Sequence, residues 1–257
     1  MEAAWLETIP LWLKNMPGWV IDICYDCYKS FIYDNRYKYF VRGLGNTLEI
    51  TIFAVLLGLA LGIVVSLIRV SWDTNESSMR PSLGKGILAI GDAICKVYLT
   101  VIRGTPVVVQ IMILYFVILA STKNKILVGV IAFGVNSGAY VAEIIRGGIM
   151  SVDSGQSEAG RSLGFGYVHT MTYVILPQAF KAVLPTLVNE FIVLLKETAV
   201  SGYVGLTDLT RAGNLVRGVS YVDLMPLLGV AIIYLILVMF FTVLMRKLER
   251  RLRSSDR

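Results

Sequence analysis

The sequence predicts an all-α integral membrane protein of about five transmembrane helices, and three observations carry that expectation. First, the mean hydropathy of the 257 residues is +0.68 and only 16% are charged, whereas a soluble domain carries nearer ~25%. Second, a bilayer crossing takes about 20 apolar residues, and five stretches meet or approach that length: residues 46–68, 105–120, 126–142, 186–204 and 226–245. Third, basic residues gather after the last stretch, at Arg246, Lys247, Arg250, Arg251, Arg253 and Arg257, and such clusters stay in the cytoplasm.

The chain divides into an N-terminal interfacial segment (1–41), a transmembrane domain (42–248) and a basic cytoplasmic tail (249–257). With the tail inside, five spans place the N-terminus outside and the 73–86 and 151–185 loops inside. Lys14, Lys29, Arg36, Lys38 and Arg42 run against the positive-inside rule in this arrangement. The net charge of +6 follows from the topology, so no nucleic-acid partner is expected. No secretory signal peptide is evident, because the first strongly apolar run starts too late.

Within 1–41, Trp5, Trp12 and Trp19 recur every seven residues, interrupted by Pro10 and Pro17. This suits a segment lying in the headgroup region, where the indole ring is amphipathic. Cys24 and Cys27 form C-x-x-C, but there is no second pair and no thioredoxin-like context; they are expected to be unpaired. The first span carries Glu49 as its only charge and holds Gly58 and Gly62, a spacing that allows close helix packing in lipid. Residues 73–86 read as a polar loop. From 86 to 102, Asp92, Lys96 and Arg103 share one helical face, with Ile87, Ile90, Ile94, Val97 and Val101 around the other. This is a helix expected to lie along the inner surface and turn into the second span at Arg103-Gly104-Thr105-Pro106.

The stretch 151–185 is the longest structured region between apolar segments. Asp153 can cap a helix, with Gln156 reaching back in a capping-box-like pair, and Gly164 can end it. A helix over 158–163 is expected, with Glu158 near its N-terminus and with Ala159 and Gly160 small enough for another surface to approach. A second short segment, 167–175, runs into Pro177. The fourth span carries Glu190, Lys196 and Glu197. Charges inside a span are costly and mark a pathway or a pair, and Glu190 and Glu197, seven apart, fall roughly on one face.

Glu158-Ala159-Gly160, Ser162-Leu163-Gly164 and Ile175-Leu176-Pro177-Gln178-Ala179 resemble the "EAA" loop of permease subunits of bacterial ABC importers, with Gly160 where the pattern has alanine. The resemblance extends to Arg103-Gly104-Thr105-Pro106 with Gln110 and Tyr115, to 139–149, and to Asn189-Glu190-Phe191-Ile192 and 194–198. It covers roughly residues 43–200 and is specific to the polar amino-acid branch. It implies a type I importer fold, an EAA motif whose helix (Glu158, Ala159, Gly160, Arg161, Leu163, Gly164) couples to an ABC ATP-binding subunit, a second permease subunit of the same or a related chain, and an extracytoplasmic substrate-binding protein. His169, the only histidine, would lie at the ATPase interface, and Arg211 and Arg217 would lie in the outer loop before the fifth span, either meeting the acidic surface of a substrate-delivering protein or solvated. It also implies a substrate role for Glu197, which stands where the family has aspartate and could meet the ammonium of a polar amino acid, with Lys196 and Thr198 beside it. The implied setting is the bacterial cell membrane.

No G-x-x-x-x-G-K-[ST] occurs, so ATP and Mg would be held by the partner and this chain would carry no cofactor. No metal-ligand cluster is evident. The competing classes are a secondary transporter or channel, which should show internal repeats, and a membrane enzyme, which should show a nucleophile, base or metal constellation. The sequence offers neither.

Overall fold

A computed structural model describes residues 5, 10, 14–76 and 81–254. All regular structure among them is helical. Helix α1 (Gly18–Cys27) leads through irregular turns into α2 (Tyr37–Asn75). Then come α3 (Leu83–Gly104), α4 (Val107–Ile113, running on as a wide turn to Ile118) and α5 (Lys125–Met150). A short α6 (Ser154–Ser162) precedes α7 (Tyr167–Thr170), which passes through a wide turn, Met171–Ile175, into α8 (Leu176–Glu197). The helix tightens over Thr198–Val204 before α9 (Leu209–Ser220) and α10 (Leu224–Ser254).

Four helical segments are long and apolar enough to cross a membrane: Tyr37–Thr74, Lys125–Met150, Tyr167–Val204 and Leu224–Lys247. The fifth candidate is a bent pair, α3 with Val107–Ile118, at 108°. The bend lies where the sequence placed the turn, at Arg103-Gly104-Thr105-Pro106. Val107–Ile118 rises only about 18 Å at 1.5 Å per residue, short of a ~30 Å hydrocarbon core. The bend follows from Pro106, which has no N–H and drives Thr105 into an extended conformation (φ −122°, ψ 145°). Helix resumes at Tyr167, where the second short segment was expected, and runs on without a break, so the fourth candidate span begins at Tyr167 and not at 186. Pro177 removes one backbone donor at the start of α8, and the wide turn Met171–Ile175 absorbs the mismatch.

Helix α5 is the centre of the bundle: 61% of its most apolar window is buried, against 6% for α10. α2 runs parallel to it, and contact is made through small residues, as the G-x-x-x-G spacing implied. A Cβ on Gly58 would lie 3.1 Å from that of Ser137, and one on Gly62 would lie 2.7 Å from that of Val141. α8 returns antiparallel, with Gly148 against Val183 and Ser137 against Glu190. Ile50, Ile111, Phe133, Leu194 and Leu206 close the core across these segments. α10 meets α8 through Phe191 and Phe241, ring centroids 4.7 Å apart. These directions put α6 and the end of α10 at one end of the bundle, the tail end. The α4–α5 loop, the start of α2 and α9 lie at the other, the head end.

The N-terminal aromatic stripe does not lie on one outward face. Trp5 is buried against Tyr25 and Tyr28, at 5.1 and 6.2 Å, whereas Trp19 is 66% exposed. Trp12 lies outside the described residues. Cys24, Cys27 and Cys95 are all free thiols.

Candidate coupling and substrate sites

Helix α6 starts four residues earlier than the sequence suggested. Asp153 is its N-cap, its Oδ1 accepting the Gly155 N–H at 2.7 Å. The favourable charge at the helix N-terminus is therefore Asp153, and Glu158 lies mid-helix. Gln156 makes no reciprocal side-chain bond among the described residues; its backbone N–H binds the Asp153 carbonyl. The C-terminus closes as a Schellman motif: the Phe165 N–H reaches the Gly160 carbonyl and the Gly164 N–H the Arg161 carbonyl, both at 2.9 Å. Gly164 adopts φ +79°, which glycine tolerates without strain.

Glu158, Ala159, Arg161, Leu163 and Gly164 are exposed, and Gly160 is buried. Gly160 faces into the chain, where a Cβ would lie 2.6 Å from Thr170 Oγ1 and 2.7 Å from its Cγ2. Its smallness therefore serves to seat α6 on the 167–175 segment, a correction to the expectation that it opens the backbone to a partner. Leu163 (75% exposed) and Val168 (70%) stand out on the same end, with Phe165 and Tyr167 also exposed. His169 stacks on Tyr173, centroids 5.9 Å apart.

At the head end of α8, Lys196 is exposed, Glu197 half-buried and Thr198 fully buried. The Thr198 hydroxyl donates to the Leu195 carbonyl at 2.8 Å, so it is engaged within its own helix. Glu197 makes no hydrogen bond or salt bridge among the described residues. Glu190, about two turns back on the same face, accepts from Ser137 Oγ at 3.0 Å and lies within electrostatic reach of Glu197. Beyond the tightened turn, Asp208 is fully buried and caps α9, accepting from the Thr210 and Arg211 N–H groups at 2.8 and 3.1 Å. Burial pushes its carboxyl above the usual range, and these bonds offset part of that push.

Two constellations escaped the sequence reading. Gln110 pins the α3–α4 bend: its Nε2 donates to Ile102 O, Thr105 O and Thr105 Oγ1 at 2.8, 3.0 and 2.8 Å, and its Oε1 accepts from Asn136 at 3.0 Å. The freed carbonyls at a helix end, five and eight residues before a glutamine, were the available signal. At the tail end, ion pairs tie α3 and α5 to α2. Buried Asp92 binds Arg69 and Lys96, Arg146 binds Asp73 at 2.9 Å, and Arg103 and Arg146 flank Glu143 at 3.6 Å each. The i,i+4 pairs Arg69–Asp73 and Asp92–Lys96 were readable, but their meeting across helices was not.

A bundle of candidate spans with a doubly capped helix exposed at one end is the architecture of a transport-system membrane subunit. Residues 83–254 match the model of the family described as binding-protein-dependent transport system inner membrane component, and the chain belongs to that family. It is 38% identical over 221 residues to the arginine transport system permease protein ArtQ of Bacillus subtilis (85% of this chain, 94% of the relative). It is 35% identical over 219 residues to the glutamine transport system permease protein GlnP of Escherichia coli K12 (83% and 92%). A crystal structure of an amino acid ABC transporter with histidines superposes with TM-score 0.73 at 38% identity, covering 84% of this chain and 94% of that one. An inward-facing structure of the MetNI methionine ABC transporter matches in fold, with TM-score 0.71 at 18% identity over 86% and 99%. The chain is thus a multi-pass permease subunit and not itself an enzyme; ATP hydrolysis occurs in a partner subunit. The secondary-transporter or channel reading is not favoured.

Proposed function

We propose that this chain is the transmembrane subunit of an ATP-driven importer that carries a polar amino acid into the cell. The observation that carries the mechanism is α6, an exposed helix fixed by caps at both ends at the tail end of the bundle. A helix so held transmits force without fraying, and it suits docking to a separate ATP-binding subunit that holds ATP and Mg. It lies at the same end of the bundle as the basic end of α10, and the positive-inside rule supports a cytoplasmic setting for both, in a bacterial cell membrane. The head end then faces out, toward a substrate-binding protein. Similarity to arginine and glutamine permeases supports the polar amino-acid cargo.

The substrate site we assign to the head end of α8. Glu197 is half-buried and lacks a salt-bridge partner among the described residues, and a charge in that position calls for one. The ammonium of an amino acid supplies it, while exposed Lys196 has the sign for the carboxylate. Thr198 holds the helix end through Leu195. Five spans make a thin enclosure, and we assign its completion to a second permease subunit, of the same or a related chain. The experiment is co-purification: an ATP-binding subunit should accompany the tagged chain, and the reconstituted complex should take up an amino acid from a panel only with ATP. Uptake driven by an ion gradient without an ATPase would overturn this reading.

A further inference from the structure

The ion pairs at the tail end form a circuit that closes on one helix. It leaves α3 at Asp92, passes to Arg69 and Asp73 on α2, crosses to Arg146 and Glu143 on α5, and returns to α3 at Arg103. The signs alternate at every step. Helix α3 is therefore held twice within about three turns, by α2 through Asp92 and by α5 through Arg103. Arg103 stands just before the bend, and its guanidinium also lies over the Tyr140 ring of α5 at 5.6 Å. Past the bend, Gln110 accepts from Asn136 of the same helix at 3.0 Å. Asn136, Tyr140 and Glu143 are spaced four and three apart, so they lie on one face of α5. That face grips both arms of the 108° bend, α3 through Glu143 and Tyr140 and α4 through Asn136.

The two grips differ in kind. The Asn136–Gln110 contact is a hydrogen bond, which weakens steeply when misaligned. Glu143 lies 3.6 Å from each of Arg103 and Arg146, and the pull of an ion pair falls only as the inverse of distance. Glu143 can keep drawing on Arg103 while the helices shift. At its tail end α5 runs unbroken to Met150 and reaches α6 through three residues, 151–153.

We propose that Glu143 is a positioning residue for transport: it carries a displacement of α6, along α5, to Arg103 and so sets the angle of the α3–α4 bend. This rests on the coupling role given to α6 above. A partner that moves α6 moves the tail end of α5, and Glu143 lies about two turns from that end. The far arm of the bend packs through Ile111 into the core with Leu194 and Leu206, and Leu194 is one turn from Glu197. A change of angle therefore reaches the segment assigned to the substrate.

The test measures the bend in the complex assembled with its ATP-binding subunit, in nanodiscs. Spin labels go on Ile90→Cys and Val117→Cys, both exposed and one on each arm, in a background of Cys24→Ser, Cys27→Ser and Cys95→Ala. The arms are about 22 and about 18 Å long, so each ~10° of bend changes the separation by about 3 Å. In the parent the separation should change between the nucleotide-free complex and the complex with ATP, Mg and vanadate. In Glu143→Gln it should stay at one value with the ATP-binding subunit still bound, and substrate-stimulated ATPase should fall about tenfold. Arg103→Gln should do the same, and the double variant should be no worse than either, because each removes the same interaction. Lys96→Gln takes an exposed charge from Asp92 without touching α5 and should behave as the parent does. A parent bend that ignores nucleotide, or a full response in either Glu143→Gln or Arg103→Gln, overturns the proposal. So do additive losses in the double variant, or an equal loss in Lys96→Gln, which would make the charges a scaffold only. Should Glu143→Gln fail to assemble, Arg103→Gln, at a more exposed side chain, decides alone. The importer reading fails by a different result, the absence of a co-purifying ATPase.

Discussion

Gly160→Ala is the smallest change that tests how α6 is held. The added Cβ would lie 2.6 Å from Thr170 Oγ1, 2.7 Å from Cγ2 and 3.2 Å from Cβ. Carbon contacts are comfortable at about 3.5–4.0 Å, so α6 must lift or the 167–175 segment must move. Overpacking of this kind costs about 1–3 kcal/mol, which lowers the fraction of chains with α6 correctly seated by roughly 5- to 150-fold relative to the displaced state. Helix propensity works the other way, since alanine is favoured over glycine by up to about 1 kcal/mol, so a loss cannot come from weakened helix. The rescue is specific. Thr170→Ala removes Oγ1 and Cγ2 and leaves the nearest atom at 3.2 Å, and the deleted hydroxyl is buried with no hydrogen-bond partner among the described residues, so its loss is cheap. The assay is substrate-stimulated ATPase in proteoliposomes, with retention of the ATP-binding subunit on purification as a second reading. Gly160→Ala should lose most stimulation, Thr170→Ala little, and the double variant should recover it. Full stimulation in Gly160→Ala, or a double variant no better than the single, would refute the packing argument.

Three further outcomes are expected. Glu197→Gln keeps shape and removes charge, so uptake should fall at least about tenfold with the complex still assembled, and Glu197→Asp should keep substantial uptake; unchanged transport by Glu197→Gln would remove the acid from the substrate site. Asp208 has its folded carboxyl pushed above its unfolded value, so the folded state holds its proton more tightly and stability falls as pH rises from about 4 through the raised value. Asp208→Asn keeps the cap without titrating, so thermal midpoints should show the parent losing ground to the variant as pH rises from about 4 through the raised carboxyl value; a pH-independent difference would contradict the burial argument. An impermeant maleimide applied to intact cells should label Cys24 ahead of Cys27, whose thiol burial and the nearby Cys24 and Asp26 push up, and should spare buried Cys95; labelling of Cys95 alone would invert the topology.

What the sequence determined by itself was local or periodic. Apolar length marked the spans, the Gly58–Gly62 spacing marked the α2–α5 contact, and Asp153 with Gly164 marked the two ends of the exposed helix, because each signal acts within a few turns of one segment. The motif run 158–179 located the coupling candidate for the same reason. Tertiary structure decided what depends on residues far apart in the chain. Only packing shows that Gly160 is small for the sake of Thr170, that Thr198 is turned inward, and that Gln110 pins the turn into the second crossing to carbonyls of the preceding helix. It alone brings Asp92 to Arg69 and sets Arg103 and Gln110 against one face of α5. A charge reads the same in a sequence whether it ends in water, against a partner or within a circuit of ion pairs. Its surroundings, and so its energy, are set by helices that meet only when the chain is folded.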